Sequence, residues 1–352
     1  MHRIIEVSRG RDIKTFYWRK LLHKYSFQII YLPFNRYNFL FRIIFERSKG
    51  TKIIHFRYLG LYRKSFLDAL TNSFLLILYS LIAKLIGYKI FWTCHNMYSH
   101  QCKHKKLEYI TRLFFVRFTS SIFVLHENLK DEVKKYYKYE GEVHTICFGD
   151  MKDYFPSTQK ERNEIRTEYN IPYSAFVILF VGEIQNSKGI KILLKSFFLI
   201  PKEKRENLYI ILAGPVYDEK SKLHIEKYFK KTKKIILKFG WIHEEMEQLF
   251  KIADFCYVGH SIPSVPTMIY LSASYKTPIL CLKGGPKEHI VLKYGLGVIS
   301  EEKTQTLADT LLNLCRKAID VPENNYKKFF EDNNWELAAK ELVDVYKKFT
   351  HQ

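Results

Sequence analysis

FVILFVGEIQNSKGIKILLKSF, residues 176–197, opens on six apolar residues, turns at Gly182 and resumes as a helical pattern after Gly189. A continuous apolar run without a polar alternate face reads as a strand buried on both sides. A parallel sheet covered by helices requires such strands. The unit recurs downstream in LYIILAG (208–214), KIILKFG (234–240), ADFCYVG (253–259) and TPILCLKG (277–284), with helical stretches between. Upstream, FQIIYLP (27–33), TKIIHFR (51–57), YKIFWTC (88–94), SSIFVLH (120–126) and EVHTICF (142–148) behave alike, separated by segments such as KKLEYITRLFFVRF (105–118). The fold class that follows is α/β, with two Rossmann-like domains facing each other across a cleft. The polar stretch FGDMKDYFPSTQKERNE (148–164) reads as the joint. Residues 1–155 and 156–336 are then the two domains, and 337–352 a final helix returning to the first.

A chain of 352 residues with 47% hydrophobic content suits two globular cores. Lys and Arg number 57 against 36 Asp and Glu, a formal charge of +21. Residues 1–160 hold 28 basic against 12 acidic residues and the remainder 29 against 24, so the excess lies in the first half. An anionic membrane surface accounts for this asymmetry, and solvated basic faces are the plainer account. Nucleic acid ranks below both, because no recognised binding module accompanies the charge.

The six cysteines, Cys94, Cys102, Cys147, Cys256, Cys281 and Cys315, form no CxxC pair. With a start, MHRIIEVSRGRD, that turns charged too early for a signal peptide, they point to a reducing, cytoplasmic setting. FLLILYSLIAKLIGYKIFW (74–92) approaches spanning length but is broken by Lys84, Gly87 and Lys89. It reads as a buried helix over about 74–86 running into a strand, with an interfacial helix as the alternative.

Ligands of parallel sheets bind beyond the carboxyl ends of the strands, so the strand-end loops carry the chemistry. Gly182 allows a tight turn, and Lys188 stands beside the amides that open the next helix, a competent phosphate site. A capped helix with a solvated lysine is the alternative, and the spacing matches neither a P-loop nor GxGxxG. Gly214 ends another strand, and Gly284–Gly285 with Glu288 follow a third. In the first half, FWTCHNMYSH (91–100) delivers His95 and Asn96 past a strand end. His95, His100 and His104 with Cys94 and Cys102 could be a metal cluster, a polar loop or part of a substrate site. The zincin pattern is absent, since no glutamate follows the first histidine. His55, in TKIIHFR, either lines the same cleft or is a satisfied structural histidine. His126 reads as part of a helix start.

Taken in order, VGEIQNSKGIKILLKSF, LYIILAGP, KFGWIHEEMEQLFKIADFCYV and SASYKTPILCLKGGPKEHI resemble successive donor-domain blocks of GT-B glycosyltransferases of the family-four type. KIIHFRYLGLY, KIFWTCHNMYSHQ, SSIFVLHENLKDEV and CFGDMKDYFP resemble a bacterial subgroup that builds extracellular or capsular polysaccharide. The resemblance implies a glycosyltransferase that uses a UDP- or GDP-linked sugar as donor and a lipid-linked or growing glycan as acceptor. It implies no metal and no other cofactor, no nucleic-acid partner, and a place on the cytoplasmic face of the plasma membrane. Lys188 matches the lysine that pairs with the donor diphosphate, and His95 the histidine near the transferred sugar. Glu288 matches an acidic residue near the donor. Glu183 stands where the family has an arginine, and Pro263 and Leu271 where two glutamates would fall. Ser264 and Thr267 would then offer hydroxyls beside helix amides. His55 and Asn96 would stand on the acceptor side. A non-catalytic sugar-nucleotide-binding or scaffold protein is the alternative that these departures favour.

Overall fold

The computed structural model describes residues 1–350 apart from 9, 11, 36, 60–64, 98–102, 217–218, 261–264 and 318. The chain forms two compact units. The first comprises Met1–Phe148 with Asn333–Gln352, and the second Gly149–Asp332.

The first unit is built from β1 (His2–Val7), α1 (Ile13–Lys24), β2 (Phe27–Tyr31), α2 (Phe39–Ser48), β3 (Ile53–Phe56), α3 (Phe66–Leu85), β4 (Lys89–Cys94), α4 (Lys105–Phe115), β5 (Thr119–Val124), α5 (Leu129–Tyr137) and β6 (Glu142–Thr145). Its six strands are parallel in the order β2-β1-β3-β4-β5-β6. Ile53, Ile54, Ile90 and Phe91 are completely buried, as doubly covered strands demand. Asp12 closes the first turn of α1 by accepting the Thr15 N–H at 2.8 Å, an N-cap that occupies this carboxylate.

The second unit runs α6 (Arg162–Glu168), β7 (Phe176–Val181), α7 (Ile190–Leu199), β8 (Leu208–Gly214), α8 (Glu219–Phe229), β9 (Ile235–Phe239), α9 (Met246–Ile252), β10 (Phe255–Val258), α10 (Thr267–Ser274), β11 (Ile279–Leu282), α11 (Gly285–Tyr294), β12 (Gly297–Ser300), α12 (Thr304–Arg316) and α13 (Glu323–Asp332). Its sheet is parallel too, in the order β12-β11-β10-β7-β8-β9. Every residue of β7 and β8 is buried, which explains the unbroken apolar runs.

The last helix, α14 (Trp335–Thr350), belongs to the first unit, where it packs on α1. Asn334 caps it by accepting the Leu337 N–H at 2.8 Å. The units divide at 148/149 and 332/333, a few residues before the boundaries expected at 155/156 and 336/337. Phe148 is the reason at the first, since its ring lies 5.5 Å from that of Trp335 within the first unit. Beyond it, the Met151 N–H is tied to Ser274 Oγ at 2.9 Å in the second.

Two expectations are corrected here. His55 is wholly buried on β3, with Nε2 2.7 Å from Thr93 Oγ1 and Nδ1 against the Tyr346 hydroxyl. Burial, and behind it the Arg57 and His95 charges, hold its pKa well below the ordinary histidine value. It is a structural histidine that fastens α14 to the sheet, and no acceptor can reach it. The helix expected at about 74–86 extends over Phe66–Leu85, and it is not a buried helix: Phe74 is 63% exposed and Leu85 76%.

Candidate active site

In an open parallel sheet, neighbouring strand-end loops part company where the strand order reverses, leaving a crevice for a ligand. In the second unit the reversal falls between β7 and β10. The loops leaving those two strands are fastened together. Gly189 (φ +69°) opens α7, and a Cβ there would sit 2.4 Å from the Gly259 carbonyl oxygen. The Tyr257 hydroxyl donates to Gly189 O at 2.9 Å. Glycine is required here because two backbones touch. From this junction Lys188 Nζ donates to His260 Nε2 at 2.6 Å, linking the end of β7 to the end of β10. His260 is buried to 6% exposure, whereas Lys188 is partly open to solvent.

Gly182 and Gly214 end the adjacent strands β7 and β8, both with positive φ, +134° and +143°. A Cβ on Gly214 would lie 2.0 Å from the Gly182 carbonyl oxygen, so these turns interlock as bare backbone. Glu183 follows directly and accepts from Gln185 Nε2 at 3.3 Å. On β11, Gly284 (φ +111°) and Gly285 (φ +70°) lead into α11, and the Glu288 carboxylate accepts the Gly284 N–H at 2.7 Å. One carboxylate oxygen of Glu288 is thereby spent on shaping the turn. Lys287 turns inward to donate to the Lys283 and Gly284 carbonyls at 3.2 and 2.5 Å. Burial lowers its pKa, and its two bonds to backbone carbonyls tighten the loop. Thr267 is the first residue of α10, half-buried, and Ser264 lies outside the described residues.

The first unit repeats the arrangement with other chemistry. Its strand order reverses between β1 and β3, and there Glu6 Oε2 meets Arg57 Nε at 3.3 Å, both side chains buried. Ser8 Oγ donates to Glu6 Oε1 at 3.1 Å, and Arg57 Nη1 to Thr93 Oγ1 at 3.1 Å. Burial pushes the Glu6 pKa up against the opposing pull of Arg57. Arg57 also lies over the Trp18 ring at 4.8 Å, and its buried Nη2 has no hydrogen-bond partner.

His95 leaves the end of β4, stacked on Tyr58 with centroids 5.0 Å apart and planes 16° from parallel. Both ring nitrogens face inward without a hydrogen-bond partner. Burial first, then the Lys14 and Arg57 charges, hold its pKa well below the ordinary value, so the imidazole is neutral at neutral pH. The turn after it is held from behind: Arg112 Nη1 donates to the Asn96 and Met97 carbonyls at 2.8 and 3.0 Å and to the Tyr137 hydroxyl at 3.1 Å. Arg112 is itself neutralised by Glu108 at 2.5 Å. Asn96, half-buried, therefore sits on a braced turn.

Among the described residues no three His, Cys, Asp or Glu side chains converge to hold a metal ion. His100 and Cys102, members of the possible metal cluster, lie outside those residues. Cys94 is a buried thiol pushed up to about 12, so it behaves as a small hydrophobe. Sequence reasoning missed His260, Arg57 and Tyr58. His260 is the first residue past the glycine that ends ADFCYVG, and Arg57 and Tyr58 directly follow KIIHF, so inspecting each strand end one residue further would have found all three.

Two parallel six-stranded α/β units, each with its polar side chains gathered at the strand-order reversal, define the GT-B type of glycosyltransferase fold. Residues 161–332, the greater part of the second unit, match the family described as Glycosyl transferases group 1. The lipopolysaccharide 1,2-N-acetylglucosaminetransferase of Salmonella typhimurium is 22% identical over 230 residues, 60% of this chain and 59% of that enzyme. The match therefore spans less than two thirds of that relative's length. Among solved structures, the sucrose-phosphate synthase (tll1590) of Thermosynechococcus elongatus superposes with a TM-score of 0.74 at 15% identity, covering 99% of each chain. A glycosyltransferase from Rickettsia africae gives 0.71 at 17%, covering 99% of this chain and 98% of that one. Anabaena Alr3699/HepE in complex with UDP-glucose gives 0.76 at 11%, covering 99% and 100%. These likenesses establish the fold.

Proposed function

We propose that the protein transfers a sugar from a UDP- or GDP-linked donor to a lipid-linked or growing glycan in the assembly of bacterial surface polysaccharide. The observation that carries this reading is the junction of Gly189 with Gly259 and of Lys188 with His260 at the strand-order reversal of the second unit. As the sugar leaves, negative charge builds on the nucleoside diphosphate. Lys188 and the amides opening α7 stabilise that charge without reorganising. Gly182, Gly214 and the Gly284–Gly285 turn admit the nucleotide to bare backbone, Glu288 shapes that turn, Thr267 offers a hydroxyl at the start of α10, and Ser264 is a further donor-binding residue. The reaction proceeds without a bound metal or cofactor. His95, neutral and with both nitrogens unpaired, contacts the transferred sugar, and Asn96 lies on the acceptor side.

The charge excess of the first unit holds the protein peripherally on the anionic inner face of the plasma membrane, and nucleic acid is not a partner. UDP-sugars come first in the test, because the Anabaena relative is held in complex with UDP-glucose. A thermal-shift panel of UDP- and GDP-sugars should yield one stabilising donor. That donor should be turned over once a glycan or lipid-linked acceptor is supplied. Stabilisation without turnover of any donor would favour the scaffold reading, which Glu183 supports by placing an anion beside the diphosphate loop.

A further inference from the structure

Helix α3 carries a stripe of large apolar residues on its outward side. Its buried face carries Asn72, Ser73 and Ser80 beside Ala69, Leu76, Tyr79 and Ala83. Leu67, Leu70, Phe74, Leu81 and Leu85 stand outward, between 41% and 76% exposed, along one stripe of helical spacing. The polar groups turned inward are satisfied locally, Asn72 Nδ2 on Asp68 O at 2.6 Å and Ser80 Oγ on Leu76 O at 2.7 Å. A helix that buries three polar residues while five large apolar ones stand outward in one stripe presents a surface suited to an apolar environment outside the protein.

The neighbouring helices extend the patch. Helix α2 packs against α3, and α3 against α4. On α2, Phe41, Ile44 and Phe45 are exposed, and on α4, Ile110 and Phe114. From Phe39 to Arg117 the sequence holds 14 Lys and Arg against three acidic residues. Two of the three are buried in ion pairs, Glu46 with Arg3 at 2.8 Å and Glu108 with Arg112 at 2.5 Å. On and directly after the three helices Arg42, Lys49, Lys84, Lys105 and Lys106 are exposed, so the charge left on this face is cationic. Lys49 Nζ stands 3.9 Å from the Phe45 ring centroid and the Arg117 guanidinium 5.1 Å from that of Phe114. Such long side chains lie along apolar surface and place their charge at its rim.

An apolar stripe ringed by cations selects the occupant. A second copy of the chain would set this cationic rim against itself, since a two-fold contact pairs like with like. A membrane span is excluded by connectivity, because α3 leads within four residues into β4, an inner strand of the sheet. An anionic bilayer supplies both an apolar boundary and negative headgroups. We infer that the α2–α3–α4 face lies flat on an anionic lipid surface, with Leu67, Leu70, Phe74, Leu81 and Leu85 at the headgroup–acyl boundary and the surrounding cations on phosphates. The inference deepens the membrane-surface reading given above and rests on it, but it is independent of the donor chemistry.

The test is flotation of the full chain with vesicles of phosphatidylcholine and phosphatidylglycerol, against phosphatidylcholine alone. The wild-type chain should float with the anionic vesicles. Leu70→Ser, Phe74→Ser and Leu81→Ser together, a surface change that thermal unfolding should register as well folded, should lower partitioning at least about tenfold. Lys49→Gln, Lys84→Gln and Arg117→Gln together should erase the preference for anionic lipid. A Phe74→Trp chain should gain emission that brominated acyl chains quench. The inference is overturned if the wild-type chain stays with the unbound protein, or if the triple serine chain floats as well as wild type. It is also overturned if the indole of the Phe74→Trp chain is not quenched while sedimentation shows a dimer that the serine changes dissolve, or if alkaline carbonate fails to extract the protein. A chain that floats as expected but turns over no nucleotide sugar refutes the transferase reading alone.

Discussion

Ending the chain at Asp332 should unfold the first unit and leave the second intact. Helix α14 lies in Asn333–Gln352, the segment that the first unit takes from beyond the second, and it fills that unit's core. Leu342, Val343 and Val345 are at most 2% exposed. At about 1.5–3 kcal/mol for each fully buried aliphatic side chain, these three alone amount to roughly 5–9 kcal/mol. A whole domain is stable by only about 5–15 kcal/mol. The truncation also strips Trp335 from its stack on Tyr17, 4.6 Å away and 12° from parallel. It leaves His55 buried without its Tyr346 partner, at a further cost of about 1–3 kcal/mol. Urea unfolding followed by far-UV circular dichroism should show the first unit's transition lost and the second unit's retained. Tyr346→Phe, which removes the hydroxyl alone, should shift the first transition by about 1–3 kcal/mol. A truncated chain whose first unit unfolds at the wild-type urea midpoint would refute the assignment of α14 to that core.

Lys188→Gln should lower kcat for sugar transfer by about 10²–10³ with little change in folding, because the lost charge acts on the leaving diphosphate; steady-state kinetics checks it. Glu183→Arg, placing a cation beside the Lys188 loop, should tighten UDP binding, as read by calorimetry. His95→Ala should cut transfer far more than it shifts the thermal midpoint, whereas equal losses would make His95 a core residue. The pKa values of His55 and His95 are lowered by burial, so the unfolded chain takes up protons near pH 6.5 while the folded one does not. Their contribution is fully present above about pH 6.5 and is lost as the pH falls below it, with a slope approaching about 1.4 kcal/mol per pH unit for each. Urea midpoints measured from about pH 7.5 to about pH 5.5 should fall accordingly, and His55→Gln should flatten the slope.

The sheet strands were legible wherever both faces are buried, since FVILFV and LYIILAG carry their state in every residue. Strand β1 was faint because HRIIEV mixes His, Arg and Glu into its six residues, and β12 escaped because GVIS is too short to show a pattern. The orientation of α3 was illegible for a different reason. Hydropathy sums over a segment are blind to which side of the helix faces the sheet, and the stripe of Asn72, Ser73 and Ser80 reads as its solvent face until the fold turns it inward. Lys188 and the glycines were legible through their strand-end positions. His55 was not decided, because a histidine at the end of a strand looks the same whether its nitrogens meet a substrate or, as here, Thr93 and a tyrosine 291 residues away.

The two strand-order reversals carry opposite electrostatics, and the difference fits what each would handle. In the first unit Glu6 and Arg57 cancel one another in a buried pair. The histidine nearby is neutral, with two unpaired nitrogens. Unpaired buried nitrogens carry a desolvation cost. That cost is recovered when a hydroxyl-rich ligand donates to one and accepts from the other, so the arrangement is better satisfied occupied than empty. In the second unit the junction pairs an ammonium with an imidazole that accepts from it, which leaves a net positive charge beside the amides of α7. Neutral groups that seek hydrogen bonds suit a sugar, and an ammonium beside helix amides suits a diphosphate. A binding protein needs only the second. His95, whose ring nitrogens are buried without a partner, is therefore the residue whose substitution separates the transferase from the scaffold reading.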